Sequence, residues 1–140
     1  MLSTLIDQNF GTQEDYNCAE KILYAANKAY ALNLDPTALK LAAGFGGGMG
    51  IGATCGALSA GVMVLSHLFV KDHAHESKLI KSISQEFFAT YRKEMGEINC
   101  APLKAKYRTP ETQCKNVILT AAKTLEQIIE KHKDQIVNKA

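Results

Sequence analysis

The sequence contains no run of like charges, no low-complexity tract and no CxxC pair. Sixteen Lys and Arg residues against fourteen Asp and Glu give a net charge of +2. Because the basic residues are scattered, nucleic-acid binding is not expected. The missing CxxC pair excludes a thioredoxin-type motif and a simple zinc ribbon. Residues 1–15 lack a basic stretch followed by a long apolar run, so we expect no signal peptide and a cytoplasmic location.

No stretch alternates apolar and polar residues as a half-buried strand does, and the dominant hydrophobic period is that of a helix. The sequence therefore predicts an all-α fold, a single-domain helical bundle. Residues 1–14 are interpreted as an N-terminal extension and residues 15–140 as the domain. Five helices are expected, at about 17–31, 35–44, 54–70, 75–95 and 109–132.

Helix boundaries are indicated by capping residues. Asp35 followed by Pro36 is typical of a helix start, with Gly44 as its stop. Thr109 followed by Pro110 has the same form and predicts the start of the last helix.

Residues 44–61 hold eight of the ten glycines. Residues 48–53 match a variant of the dinucleotide-binding fingerprint, but that motif needs a preceding strand and a βαβ unit, which the sequence lacks. No Gly-Lys-Ser/Thr follows either. No nucleotide cofactor is therefore expected.

The uncharged run 41–70 is long enough to span a bilayer. Glycine at this density is a poor helix former, however, and the strongly apolar part, residues 56–70, is too short to span. We therefore predict a glycine-rich loop followed by a central buried helix, and no membrane span.

Each of the four cysteines lies near a predicted helix start. There the unpaired backbone N–H groups and the helix dipole stabilise a thiolate. Any single cysteine could be an ordinary core residue, but the shared placement favours one common site. The cysteines and their expected capping neighbours are Cys18 between Asn17 and Glu20, Cys55 after Thr54, Cys100 after Asn99, and Cys114 in the opening turns begun by Thr109.

Cys55 is the candidate nucleophile if the protein is an enzyme, because it combines a predicted cap with flanking glycines. Gly52, Thr54 and Gly56 are expected to shape the wall against which a cofactor or ligand lies. As a metal site, Cys18, Cys55, Cys100 and Cys114 are the predicted ligands, and thiolates select iron–sulfur clusters, zinc or copper(I).

The histidines offer a weaker signal. His73 and His75 lie beside Asp72 and Glu76, a combination that can bind a metal. A solvated turn between helices is the favoured interpretation, and the role of these two histidines stays open. His132 is expected at the edge of the core, near a helix C-terminus.

The chain resembles the C_GCAxxG_C_C family of redox-active proteins. The resemblance rests on "NCAEKIL" at 17–23, "GFGGGMGIGATCGALSAG" at 44–61, "NCAPL" at 99–103 and "QCKNVI" at 113–118. Ala60 departs from the family's Cys-Gly-Ala-x-x-Gly pattern, and the next glycine is Gly61. The resemblance implies a redox or metal-binding role and supplies no particular reaction.

Three functions are carried forward. The first is electron transfer or redox sensing through an iron–sulfur cluster or another thiolate-bound metal. The second is metal-free thiol–disulfide exchange. The third is a helical partner-binding or membrane-associated module with incidental cysteines. A homodimer is expected because the apolar run 41–70 is more than a small bundle easily conceals. The redox partner is not identified by the sequence.

Overall fold

The computed structural model describes residues 1–138, and within them the fold is all-α, as predicted. Seven α-helices occur there, somewhat more than the five expected. Three short 3₁₀ segments, Lys40–Phe45, Ala74–Glu76 and Lys133–Gln135, join or extend them. The α-helices are α1 (Leu2–Asp7), α2 (Cys18–Ala29), α3 (Pro36–Leu39), α4 (Gly56–Phe69), α5 (Leu79–Met95), α6 (Cys100–Tyr107) and α7 (Lys115–Lys131).

Helix α4 is the centre of the bundle, as the apolar run predicted. It packs against α2, α5 and α7, and most of its residues are buried. The contact with α5 is close because Gly61 has no side chain, and a Cβ there would lie 2.6 Å from the Phe87 ring. None of the helices formed by residues 1–138 is both long and apolar enough to cross a bilayer.

Helices α5 and α7 bury the faces that their periodicity predicts. Ile83, Phe87 and Tyr91 of α5 are buried, and so is the α7 stripe that runs from Val117 to Ile128. The Tyr91 hydroxyl donates a hydrogen bond to the Val117 carbonyl oxygen at 3.2 Å, which ties the two helices together.

A helix that the sequence did not predict lies inside residues 1–14. Helix α1 packs on α7 and buries Leu2 and Ile6. The Ser3 backbone N–H donates to the Glu126 carboxylate, and Lys115 lies 3.8 Å from an Asp7 carboxylate oxygen. Six residues are too few for a period to be read from the sequence. The boundary between extension and domain stays a prediction.

The start of α2 follows its capping residues. The Glu20 backbone N–H donates to the Asn17 side chain at 2.9 Å, and the Asn17 backbone N–H donates to the Glu20 carboxylate at 3.0 Å. This capping box is the one that the sequence predicted. The Asp35 cap of α3 is also confirmed, since its carboxylate accepts from the Ala38 N–H at 2.9 Å.

The helix boundaries predicted at Gly44 and at Thr109 are wrong. Gly44 does not stop the chain's helical turn, which continues as the 3₁₀ segment to Phe45. Helix α7 begins after Cys114 and not at Thr109. The Thr109 hydroxyl does accept a backbone hydrogen bond, from Thr112 at 3.0 Å, but it closes a turn that ends at Gln113, whose φ is +52°. A left-handed residue at that position separates the turn from the helix.

The glycine-rich segment forms a tight turn over Gly48–Gly52 before α4. The Ala53 N–H donates to the Gly48 carbonyl oxygen at 3.1 Å to close it. Backbone φ is positive at Gly48 (+62°) and Gly50 (+73°), which a glycine adopts without strain. Met49 shares the conformation with φ of +61° despite having a side chain.

The predicted role of Thr54 as N-cap of α4 is wrong. Thr54 forms an isolated antiparallel bridge with Asn99, and Cys55 is the N-cap residue. The Cys55 N–H donates to the Ile98 carbonyl oxygen at 2.9 Å, and the Cys100 N–H donates to the Ala53 carbonyl oxygen at 2.6 Å. These pairings place the starts of α4 and α6 side by side, which no local sequence signal indicates.

Candidate functional site

All four cysteines are free thiols at the starts of α-helices. Cys18 is the first residue of α2, and Cys100 is the first residue of α6. Cys55 and Cys114 are the N-cap residues of α4 and α7. The predicted association of cysteines with helix starts is confirmed. Cys114 lies nearer to the N-terminus of its helix than the sequence indicated.

The side chains of Cys18 and Cys55 lie close together, and a hydrogen bond between them is the largest cause of the pKa shift at each thiol. The contact depends on Gly56, the first residue of α4. A Cβ on Gly56 would lie 2.7 Å from the Cys18 Sγ and 2.6 Å from the Phe45 carbonyl oxygen. Only glycine leaves room there for the sulfur, because real Cβ atoms do not approach other atoms so closely. Gly56 therefore admits the thiol of Cys18.

The surroundings of Cys18 favour its thiolate. Its pKa is lowered to about 6, chiefly because the Cys55 thiol donates a hydrogen bond to the sulfur. Burial acts in the opposite direction, but backbone N–H groups of Gly47, Ala19 and Gly56 add further hydrogen bonds that lower the pKa. Hydrogen bonds to an ionised group stabilise it in this way.

Cys55 is affected in the opposite sense. The hydrogen bond with Cys18 raises its pKa, and burial and the negative charge of Cys18 raise it further. The backbone N–H groups of Ala57 and Leu58 lower the pKa without offsetting these effects. The two thiols titrate as a coupled pair. Once the pair has lost one proton, these contacts place the remaining proton on Cys55.

The two other cysteines lie near the pair but apart from it. Cys100 is buried. If Gly48 carried a Cβ, that atom would lie 2.8 Å from the Cβ of Cys100. Cys114 is half-buried, and burial is the main reason that its pKa is raised. The charges of Arg108 and Lys104 lower the pKa of Cys114, while Cys18 and Cys100 raise it, so these groups are near neighbours.

A cavity of about 640 Å³ opens beside Cys18 and Cys114. Its walls come from α1 and the loop that joins it to α2, from the starts of α2 and α7, from the end of α6 and from the turn before α7. The charged and thiol side chains that line it are Cys18, Cys114, Lys21, Lys104, Arg108, Lys115, Asp15 and Glu111. The cavity has the size of a small-molecule site.

The arrangement does not fit a preformed metal site. Among residues 1–138, no group of three or more His, Cys, Asp or Glu side chains is placed to hold one ion. Thiolates suit a soft metal or an iron–sulfur cluster, but as placed the four thiols form one hydrogen-bonded pair with two neighbours. In this arrangement the cysteines form a thiol site.

The other predicted ligand-wall residues have structural contacts. A Cβ on Gly52 would lie 3.0 Å from the Cβ of Ala101 in α6, and its φ is +71°. Thr54 lies in the bridge to Asn99. Both residues hold the turn against α6, next to Cys100.

Three of the four histidines, His73, His75 and His132, lie in a turn or at a helix end. His73 and His75 are exposed in the turn between α4 and α5, as predicted. The backbone N–H groups of Asp72 and His73 donate to one Glu76 carboxylate oxygen, each at 2.9 Å. His132 follows α7, half-buried at the core edge as predicted, with its Nε2 at 2.8 Å from the Glu86 carboxylate.

Sequence reasoning missed the cavity and its basic residues. Lys104 and Arg108 are four residues apart, which places them on one face of the end of α6, but nothing in that spacing distinguishes them from solvated lysines and arginines. Their proximity to Cys114 arises from the packing of α6 on α7. The contact of Cys18 with Cys55 is likewise a product of tertiary packing.

An all-α domain with four free thiols at helix starts, two of them hydrogen-bonded, defines a cysteine-based redox protein. The family model described as "Putative redox-active protein (C_GCAxxG_C_C)" matches residues 16–128, which include all four cysteines. The chain belongs to this family. No curated protein and no solved structure matches it significantly.

Proposed function

We propose that the protein is a thiol–disulfide redox protein in which Cys18 and Cys55 cycle between dithiol and disulfide. The observation that supports this most directly is the hydrogen bond between the two thiols, with the pKa lowered at Cys18 and raised at Cys55. A thiolate is the attacking species in disulfide exchange, and its neighbour is the resolving thiol. The proposal makes Cys18 the nucleophile and Cys55 the resolving cysteine, whereas the sequence indicates Cys55 as the nucleophile.

The proposed reaction balances as two successive exchanges. The Cys18 thiolate attacks one sulfur of a disulfide, the substrate's S–S bond breaks, and the first thiolate leaves. Cys55 then gives up its proton to solvent or to that leaving thiolate and attacks the Cys18 sulfur. The second substrate thiolate leaves, and a Cys18–Cys55 disulfide remains. Two electrons have passed from the protein to the substrate.

The first exchange prepares the second. The hydrogen bond with Cys18 is the largest cause that raises the pKa of Cys55, and the charge of Cys18 is a further one. When Cys18 becomes a mixed disulfide its charge is lost and its sulfur is a poor acceptor. The pKa of Cys55 then falls, so that the resolving thiol ionises only after the nucleophile has reacted.

Peptide mapping of the oxidised protein tests the proposal. Reduced protein treated with one equivalent of an organic disulfide is expected to contain a Cys18–Cys55 disulfide. The variant Cys55→Ser is expected to stop at a mixed disulfide on Cys18, whereas the control Cys114→Ser forms the internal disulfide as before. An internal disulfide that joins Cys18 to Cys114 or to Cys100 contradicts the proposal.

A thiolate-bound iron–sulfur cluster or other metal, used for electron transfer or sensing, is the second candidate. It is favoured by the clustering of all four thiols, since Cys114 shares a cavity with Cys18 and Cys100 lies against Gly48 in the adjoining turn. Loading would require Cys100 and Cys114 to move toward the pair. Stoichiometric iron and acid-labile sulfide in anaerobically purified protein, lost on Cys100→Ser, would establish this candidate in place of the first.

We also propose that two copies of the chain associate. The location proposed is a reducing compartment such as the cytoplasm, because free thiols persist there. The glycine-rich region exposes Leu41 (66%), Met49 (46%) and Ile51 (80%), an unusual density of large apolar side chains. Light scattering is expected to give the mass of a dimer, reduced to that of a monomer by Ile51→Ser. A monomer at working concentration counts against this assignment.

A further inference from the structure

The cavity beside Cys18 is lined by more cationic than acidic side chains. Four of its lining residues, Lys21, Lys104, Arg108 and Lys115, are cationic, and two, Asp15 and Glu111, are acidic. A cavity lined by an excess of one sign raises the local concentration of ligands of the other sign.

Three of these cations have no ion-pair partner among residues 1–138 that would neutralise them. Lys115 lies 3.8 Å from an oxygen of Asp7, which is outside the cavity. Lys21, Lys104 and Arg108 form no salt bridge with the part of the chain that the structure describes, residues 1–138. Their charges are therefore available to a ligand.

The basic side chains and the thiols face the same space. Cys18 and Cys114 both line the cavity together with Lys104 and Arg108. These two cations also act on Cys114 electrostatically. Lys104 and Arg108 also line a second, smaller cavity of about 330 Å³. They therefore lie between the two cavities. A molecule held by these two cations would occupy the cavity that the sulfur of Cys18 also lines.

We propose that the cavity binds small organic disulfides that carry carboxylates, and that Lys104 and Arg108 hold those carboxylates while Cys18 attacks the sulfur. This inference rests on the proposed function and names its substrate class. An arginine can pair with a carboxylate through two parallel hydrogen bonds, and a lysine adds a point charge. The step is the exchange already written, in which the substrate disulfide is reduced by two electrons and the dithiol is oxidised.

Rates with three aliphatic disulfides of different charge test the inference. The probes are dithiodipropionate (a dianion), bis(hydroxyethyl) disulfide (neutral) and cystamine (a dication). For each disulfide, the rate constant of the protein is divided by the rate constant of an uncharged cysteine peptide with that disulfide. This ratio is the acceleration by the protein, and the preference is the ratio of two accelerations. At low salt we expect a preference of about tenfold for the anion over the neutral disulfide, with the cation slowest. The preference should fall sharply at about 0.5 M salt.

Matched variants assign the preference to the cavity. Lys104→Gln and Arg108→Gln are each expected to reduce it about threefold, and the double variant to abolish it. The controls are Lys123→Gln and Arg92→Gln, exposed residues that line neither cavity. The rate with the neutral disulfide serves as an internal check in every variant, because misfolding would lower it too.

The outcomes separate the two proposals. A preference for the anion that is lost in the cavity variants and kept in the controls supports the inference. Equal acceleration for all three disulfides overturns the inference and leaves the proposed function standing, and such a result fits a protein disulfide as substrate. A preference that the control variants also lose overturns it as well, since the whole surface would then be responsible. No acceleration over the peptide with any disulfide overturns the proposed function itself, and the inference with it.

Discussion

Cys18 and Cys114 occupy equivalent places in the sequence pattern and differ in chemistry. Both lie at the start of an α-helix, both are half-buried, and both line the same cavity. Yet the pKa of Cys18 is lowered and that of Cys114 is raised. The difference lies in the donors. Cys18 receives hydrogen bonds from Cys55 and three backbone N–H groups, whereas burial dominates at Cys114. A helix start does not make a thiolate unless donors reach the sulfur.

Replacing Cys18 and Cys114 one at a time should give the largest difference in exchange rate between the two cysteines. Cys18→Ser is expected to lower the rate of exchange with small disulfides by about 100-fold or more, because the thiolate that attacks is lost. Cys114→Ser is expected to change that rate less than about threefold, since its thiol is protonated at neutral pH. Stopped-flow measurement of thiol release gives both rates. Comparable losses of exchange rate in the two variants would mean that both thiols contribute equally to the exchange.

Filling the space beside Cys18 should impair the site and the fold together. Gly56→Ala places a Cβ 2.7 Å from the Cys18 Sγ and 2.6 Å from a backbone oxygen, so one of them must move. We expect unfolding free energy to fall by about 2 kcal/mol, as for overpacked cores, and the pKa of Cys18 to rise as its hydrogen bonds lengthen.

The matched control is Gly44→Ala. A Cβ there meets nothing within 4 Å, and the residue is not in a left-handed conformation. Its stability by urea denaturation and its thiol reactivity should stay close to those of the parent. If Gly56→Ala behaves like Gly44→Ala, the close approach of sulfur to α4 is not required.

A second glycine separates fold stability from thiol chemistry. Gly61→Ala directs a Cβ to 2.6 Å from the Phe87 ring, one turn and more along α4 from the thiol pair. The free energy of unfolding is expected to fall by about 1–3 kcal/mol. The alkylation rate of Cys18 in the folded variant should be unchanged. A change in that rate would show that the site senses core packing in general.

The smallest expected effect lies at the end of α7. Lys131 and His132 lower the pKa of Glu86 through hydrogen bonds. A lowered carboxyl pKa contributes stability that is present above the unfolded pKa of about 4.3 and is lost as the pH falls through the folded value. Because the group is partly exposed, Glu86→Gln should cost less than about 1 kcal/mol at pH 7. Urea denaturation at pH 7 and at acid pH should show the deficit shrinking as the pH falls below the unfolded pKa of about 4.3, and a constant deficit would contradict the assignment.

Local signals in the sequence were sufficient for much of the fold. The capping box at Asn17, the apolar run that became α4 and the periodicity of α5 all gave elements that the structure confirms. The start of α7 was missed because Thr109 caps a turn and not the helix. Helix α1 was missed because its stability comes from packing on α7.

The chemistry of the site was less accessible to sequence reasoning. Four cysteines at helix starts are recognisable from their neighbours, but the sequence indicates Cys55 as the nucleophile because of its flanking glycines and of a Thr54 cap that does not form. Three of the four donors that favour the Cys18 thiolate, Gly47, Cys55 and Gly56, lie about thirty to forty residues away along the chain, and only Ala19 is local. Only the packing of α2 on α4 brings them together, and no local pattern encodes that contact.

The most direct test of the account is the pH dependence of alkylation at each cysteine, measured on reduced, metal-free protein with iodoacetamide and mapped by mass spectrometry. We expect the rate at Cys18 to rise with a midpoint well below the ordinary thiol pKa of about 8.5, and Cys114 to react only above that value. In Cys55→Ala, which removes the donor to Cys18, the midpoint should move up toward the ordinary value. Alkylation of Cys55 or Cys114 before Cys18, or a Cys18 midpoint at or above that of a free thiol, would contradict the assignment of the thiolate to Cys18.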